Sequence, residues 1–306
     1  MPAYLAFGLR IDSERALPSW IIRDTRALTP SGGQSDVTIR WAEECEPDAG
    51  AAAGDSQKGW YDFHPLRHRF GWPQVGVIEV RQGREVVVHP RPDVAEGMVE
   101  EVLLGAVMAD ILLTRGFIPL HASSNYVAGR AIAIVGRSGT GKSTLADALD
   151  RDGHPARADD LVAVPTEGPP LVPFSFSRIK LDRAPEAATK RGEFRRRTAL
   201  RAEKGPGGGV SSLREPLPLA AIYWITDSDS LAVEPVDPRQ ALFEVYANCF
   251  RVEVEQYMLG ADELLRRCAS VASRVPFFKL HRPRELAKLP QVVDAIVAHV
   301  VSLQER

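Results

Sequence analysis

The 306-residue chain is poor in cysteine and close to neutral, and no run in it is long and apolar enough to span a membrane. Its three cysteines, Cys45, Cys249 and Cys268, are odd in number and scattered. That argues against a disulfide framework and suits a reducing cytosol, so a cytoplasmic location is expected. A net charge of −2 provides no global field to draw the chain to nucleic acid or to a membrane surface. The apolar segment Val102 to Leu113 is interrupted by Asp110 and ended by Arg115, as a packed helix would be. The opening Met1-Pro2-Ala3-Tyr4-Leu5-Ala6 has no basic region before an apolar run, so no secretory signal is expected. No internal repeat is visible.

What the chain does have is a complete phosphate-binding pattern: Gly136-Arg137-Ser138-Gly139-Thr140-Gly141-Lys142-Ser143. Successive backbone N–H groups wrap phosphate oxygens, and glycine is needed where a Cβ would block close approach. Lys142 is expected to reach the β- and γ-phosphates, and the Ser143 hydroxyl to reach Mg²⁺. The context agrees. Ala131 to Val135 reads as a buried strand, and Thr144 to Leu149 as a helix whose N-terminal dipole faces the phosphate. The expected nucleotide contacts therefore run from Gly136 through Thr144.

The acids Asp159-Asp160 open the apolar stretch Leu161 to Val164. Phosphoryl transfer needs an acid on Mg²⁺, and transfer to a hydroxyl gains from a carboxylate that orients or deprotonates the acceptor. Adjacent acids at a strand edge point to opposite sides and can divide these roles, with the division left open. His121 precedes the turn Ala128-Gly129-Arg130, on a segment expected to pair with Ala131 to Val135 as a hairpin. A lone histidine is more often structural. The run Arg191, Arg195, Arg196, Arg197 and Arg201, followed by Gly205 to Gly209, reads either as a solvated helix face or as a flexible basic flap over an acidic substrate. It interleaves no aromatic beyond Phe194, which argues against stacking on single-stranded nucleic acid. His64 and His68 lack a third ligand at useful spacing, and Pro65 breaks a helix between them, so metal is not expected there. Asp227 and Asp229 read as a surface turn.

The composition, 44% hydrophobic and 25% charged, is that of a globular protein of one large or two modest domains. The expected division is an N-terminal β-rich module over 1–92 and a phosphate-loop domain over 93–306. Strand candidates are Tyr4 to Ile11, Val75 to Val80, Arg84 to His89, Leu171 to Leu181, Leu219 to Ile225 and Val275 to Leu280. Asp48 to Gln57 reads as a loop. Helical spacing covers Asp93 to Thr114, Pro238 to Asn248, Glu253 to Ser273 and Arg284 to Gln304.

Leu120-His121-Ala122, the hairpin turn, Gly136 to Ser143, and Gly153-His154 leading to Ala158-Asp159-Asp160 together resemble the catalytic domain of bacterial HPr kinase/phosphorylase. That domain is related to phosphoenolpyruvate carboxykinase through its hairpin-fed phosphate loop. The opening Phe7-Gly8-Leu9-Arg10-Ile11-Asp12-Ser13 with Leu17-Pro18 is similar to the start of the HPr-kinase-like enzymes that phosphorylate a serine of lasso-peptide precursors. The resemblance implies an α/β kinase core using ATP and Mg²⁺. Lys142 and Ser143 would contact phosphate and metal, and Asp159 and Asp160 would hold metal and act as base. His121 would lie near the phosphates. No Arg-Gly-Leu-Gly segment and no Pro-Val-x-Pro-Gly-Arg-Asn segment is present, which sets HPr as substrate and the reverse reaction apart. The expected partner is a peptide or small protein with an acceptor serine, with neither nucleic acid nor membrane as partner and homo-oligomerisation left open. The rival readings are a kinase of free serine and a nucleotide-sensing module without turnover.

Overall fold

The computed structural model describes residues 1–18, 21–23, 35–42, 53–55, 59–94, 97–175, 178–179, 195–196 and 215–305. They form a mixed α/β structure of two compact units, Met1–Arg115 and Gly116–Arg306. Among the described residues no helix is long and apolar enough to cross a membrane.

The first unit holds β1 (Ala3–Ala6), β2 (Leu9–Ser13), β3 (Ile22–Arg23), β4 (Val37–Trp41), β5 (Ala53–Asp55), β6 (Gly59–His64), β7 (Arg67–Trp72), β8 (Gly76–Arg81) and β9 (Glu85–Pro90). They make one sheet in the order β3-β1-β2-β4-β9-β8-β7-β6-β5. The single strand expected over Tyr4 to Ile11 is instead a hairpin. Phe7 and Gly8 have φ of 54° and 71°, the two left-handed positions of a tight turn whose twist matches the flanking strands. Then come α1 (Met98–Val102), a π turn over Leu103–Val107, and α2 (Met108–Thr114).

This helical segment was expected to open the second domain at residue 93, but the units divide at Arg115/Gly116. The reason is visible in the polar contacts that tie it to the first sheet. The Asp110 carboxylate pairs with His68 at 2.8 Å. The Arg115 guanidinium donates to the carbonyls of Asp36 and Gly83 at 2.8 and 3.2 Å.

The second unit contains β10 (Phe117–Leu120), β11 (Ser123–Val127), β12 (Arg130–Val135), α3 (Lys142–Arg151), β13 (Ala156–Ala158), β14 (Val162–Pro165), β15 (Leu171–Val172), β16 (Arg178–Ile179), β17 (Arg195–Arg196), β18 (Leu217–Asp227) and β19 (Ala232–Pro235). It closes with α4 (Pro238–Ala247), α5 (Val252–Leu259), α6 (Ala261–Arg274), β20 (Phe277–Arg282) and α7 (Leu289–Ser302). The main sheet runs β13-β11-β12-β18-β20-β19, with β15 also on β18. β12, β18 and β20 are mutually parallel, so their C-terminal ends share one edge. Ala131 to Val135 are all buried, as expected of a strand covered on both faces. Leu145 and Leu149 of α3 and Val292, Ile296 and Val300 of α7 belong to the same buried cluster.

Three expectations need correction here. The hairpin partner of β12 is β11, whereas residues 117–120 pair with β14. Ala128 and Gly129, at φ 46° and 84°, make a two-residue turn, so the strand before it must end at Val127. The expected helix over Glu253 to Ser273 is two helices, broken at Gly260, whose φ of 81° and ψ of 154° no helix admits. The last helix starts at Leu289 rather than Arg284, placing Pro290 in its first turn, where a missing N–H costs nothing.

Candidate functional site

β12 delivers the chain into the glycine loop, and α3 takes it away. Gly136, Gly139 and Gly141 all have positive φ, at 148°, 79° and 90°. Gly141 is the most restricted of the three. A Cβ there would lie 2.5 Å from a guanidinium nitrogen of Arg282. Thr140 folds the loop by donating its N–H and its hydroxyl to the Arg137 carbonyl, at 3.2 and 2.7 Å. Lys142 is buried, and its Nζ donates to the carbonyls of Gly136 and Arg137 at 2.7 and 3.5 Å. Burial lowers its pKa, and the negative charges of Asp160 and Asp159 oppose that shift. The ammonium is thus held inside the loop by carbonyls that a phosphate can replace as partners. Arg137, Ser138 and Gly139 are exposed, and Thr144 lies half-buried in the first turn of α3.

The acids sit on a bend between β13 and β14, rather than at the edge of one strand as the sequence suggested. Asp160 takes φ 72°, a left-handed conformation that aspartate tolerates better than most residues. That local geometry ends the ladder. Asp159 is buried, and its Oδ1 accepts from the Ser143 hydroxyl at 3.1 Å and from the Ser123 hydroxyl at 2.5 Å. Ser143 is thus hydrogen-bonded to Asp159, and Lys142 feels the charge of both Asp160 and Asp159.

His121 enters differently. Its N–H donates to the Asn248 carbonyl at 2.8 Å, and its ring lies 6.2 Å from that of Phe250. Asn248 in turn accepts the Gly136 N–H on its side-chain oxygen at 3.0 Å. The histidine is joined to the start of the loop through Asn248. Of the basic run, Arg195 and Arg196 form β17 against β16, while Arg191, Arg197, Arg201 and the glycines 205–209 lie outside the described residues, as does most of the loop expected at 48–57. His64 and His68 stand on paired hairpin strands, not on a helix face, and His68 is committed to Asp110. Among the described residues no three His, Cys, Asp or Glu side chains cluster as metal ligands.

Sequence reasoning missed Ser123, Asn248, Arg282 and Arg284. Arg282 is buried and donates to the Thr140 carbonyl; Arg284 donates to the Gly139 carbonyl at 3.2 Å. Burial lowers the Arg282 pKa, opposed by Asp227 and reinforced by Arg284. Asp227, expected to be a plain surface turn, ends β18 and lies 3.5 Å from Arg284. A signal for these existed. Ligands in α/β sheets gather at the C-terminal edge of the parallel strands, and His281-Arg282-Pro283-Arg284 places two cations at such an end.

The site is a glycine loop beside two adjacent carboxylates, one of which, Asp159, accepts two serine hydroxyls. No protein-family model matches the chain, and no curated protein matches it. Among solved structures the chain is similar to the Hpr(Ser) kinase/phosphatase from Coxiella burnetii, at 12% identity and a TM-score of 0.32, over 61% of this chain and 98% of that one. A likeness of that extent leaves function to be argued from the site's own geometry.

Proposed function

We propose that the chain is an ATP- and Mg²⁺-dependent kinase with an HPr-kinase-like phosphate-loop core, transferring the γ-phosphate to a serine hydroxyl of a peptide or small protein. The observation that carries this is the convergence of Lys142, Ser143, Asp159 and Asp160 at one loop. A nucleotide fits the loop. Gly139 has open space where a Cβ would stand, and the Lys142 ammonium is already held there by replaceable carbonyl partners. Magnesium fits the donor set, since Ser143 and Asp159 offer hard oxygens 3.1 Å apart. One or two protein oxygens completed by phosphate and water are its usual coordination. Bound there, Mg²⁺ supplies charge neutralisation for the phosphates.

The residues divide the work by position. Lys142 and the loop N–H groups offset the charge of the transferred group, and the N-terminus of α3 adds its dipole. Asp159, bonded to Ser143, belongs to the metal side. Asp160, half-buried on the bend, takes the proton of the acceptor hydroxyl. The serine oxygen then forms its bond to phosphorus as the bond to the ADP oxygen breaks.

A lasso-peptide precursor is one acceptor consistent with the opening residues 7–18, and a cytoplasmic location suits the nucleotide supply. The test is ADP release with and without candidate peptides, followed by mass spectrometry of the acceptor. Acceptor-stimulated release and a phosphoserine are expected. Lys142→Ala should lose about 10²–10³ in rate while the fold is retained. Labelling of free serine with no labelled peptide would transfer the reading to a small-molecule kinase, and nucleotide binding without turnover would leave a sensing module.

A further inference from the structure

The geometry points to Ser123 as a positioning residue that holds the Asp159 carboxylate in its working orientation once Ser143 has turned to the metal. This rests on the phosphotransfer reading above and deepens it. β11 and β13 are antiparallel with Ser124 opposite Ala158, so one step further along the ladder sets Ser123 beside Asp159. The Ser123 Oγ–Asp159 Oδ1 distance of 2.5 Å is that of a charge-assisted O–H···O⁻ bond.

Two hydroxyls donate to that one carboxylate oxygen, and they differ in what else they can do. Ser143 is half-buried in the first turn of the loop helix and 3.1 Å away, free to rotate to another oxygen or a cation. Ser123 is fully buried on a strand between β12 and β13, opposite Ile134, two residues before the glycine loop. Among the described residues Asp159 is the acceptor its hydroxyl meets. When Ser143 leaves, the bond from Ser123 remains, and Asp159 keeps its rotamer without a search. Outer partners of this type hold metal ligands in orientation, and removing them typically costs about 10–100-fold in metal affinity.

The control is adjacent. Ser124 is equally buried, points to the opposite face of the strand, and has a hydroxyl with no hydrogen-bond partner among the described residues. The experiment is titration of a fluorescent ADP analogue into the full chain across Mg²⁺ concentrations and in EDTA, alongside turnover.

Ser123→Ala is expected to raise the Mg²⁺ concentration for half-maximal effect about 10–100-fold and to leave metal-free nucleotide affinity unchanged. Ser124→Ala should shift neither. Ser123→Cys, of similar size with a weaker donor, should fall between, and it stands in if the alanine variant folds poorly. On an Asp159→Asn background, Ser123→Ala should add nothing further. An unshifted Mg²⁺ response in Ser123→Ala, or an equal shift with Asp159 already replaced, would overturn the assignment alone. A wild-type chain whose nucleotide affinity ignores Mg²⁺ would overturn it together with the phosphotransfer reading.

Discussion

Each of the two units buries a carboxylate, and the two are partnered in opposite ways. In the first, Asp110 pairs with His68 at 2.8 Å, and the imidazole is packed edge-on to Phe63 with centroids 4.9 Å apart. In the second, Asp159 is held by two hydroxyls and feels the Lys142 ammonium. A histidine ring packed against Phe63 and bonded to a carboxylate holds its place. A serine hydroxyl is a rotor that changes partner at little cost, and a lysine bonded to carbonyls can trade them for phosphate. Burial alone thus does not distinguish the acid proposed for the chemistry from one that only holds the fold; what its neighbours are free to do separates the two.

The sharpest way to break that comparison is to neutralise each acid in turn. Asp159→Asn keeps the shape and removes the charge, and it should lower phosphotransfer by about 10²–10³. Asp110→Asn should leave turnover at wild-type level, and Asp110→Ala should cost about 1–3 kcal/mol of stability by leaving His68 without its partner. Chemical denaturation and turnover measured on the same preparations separate the two effects. A comparable rate loss in Asp110→Asn would show that the first unit's acid serves the chemistry, and the contrast would collapse.

A third buried carboxylate sharpens the contrast from another side. Glu255 lies in the first turn of α5, accepts the Arg251 N–H at 3.0 Å, and lies against the Cys249 thiol. Burial pushes its pKa up to about 7, with the hydrogen bonds opposing. The sign follows from linkage. A carboxyl whose folded pKa lies above its unfolded value favours the fold when protonated, and that advantage is lost as pH rises from the unfolded value through about 7. Glu255→Gln should therefore be more stable than wild type at pH 8, by about 3 kcal/mol. The gap should narrow as the pH falls to about 5. Urea midpoints at the two pH values test this, and a gap independent of pH would mean that Glu255 is ionised in the fold with a partner of its own. Cys249 and Cys268 nearby are free and buried, 3.7 Å apart at sulfur.

How much of this the sequence displayed depends on the range of the interaction. The strand expected over Ala131 to Val135 and the helix expected over Thr144 to Leu149 are set by neighbours a few residues apart, and the structure has them as Arg130–Val135 and Lys142–Arg151. Turn chemistry was equally local, yet the hairpin partner of β12 was misjudged, because the strand was placed on the segment carrying His121, and only the two-residue turn at Ala128-Gly129 fixes the register. The π turn at Leu103–Val107 left no trace in the apolar pattern. Ser123, Asn248 and Arg282 stayed invisible for a different reason. Their partners lie 36, 112 and 142 residues away in sequence, so only the sheet order brings them to the site.

Asn248 gives the smallest expected effect and the closest test of that point. It ends α4, where its amide Nδ2–H donates to the Glu244 carbonyl at 2.8 Å and its oxygen accepts the Gly136 N–H at 3.0 Å. Its own carbonyl takes the His121 N–H, and the next residues run on beside Pro119 and Leu120. A single residue thus joins the entry of the loop to the histidine segment. Replacing it with alanine removes the acceptor from a buried N–H and leaves the backbone bond to His121 in place. A neutral hydrogen bond of this kind contributes about 0.5–1.5 kcal/mol. Nucleotide affinity should therefore fall only about two- to tenfold. Turnover at saturating nucleotide should change less, because Lys142, Ser143 and the acids keep their own contacts. Titration of the fluorescent ADP analogue measures the first, and the saturated rate the second. If affinity is unchanged, Gly136 does not need its anchor and Asn248 merely terminates α4. A saturated rate that falls as far as in Asp159→Asn would mean that the loop entry, and not the acid pair, sets the chemistry.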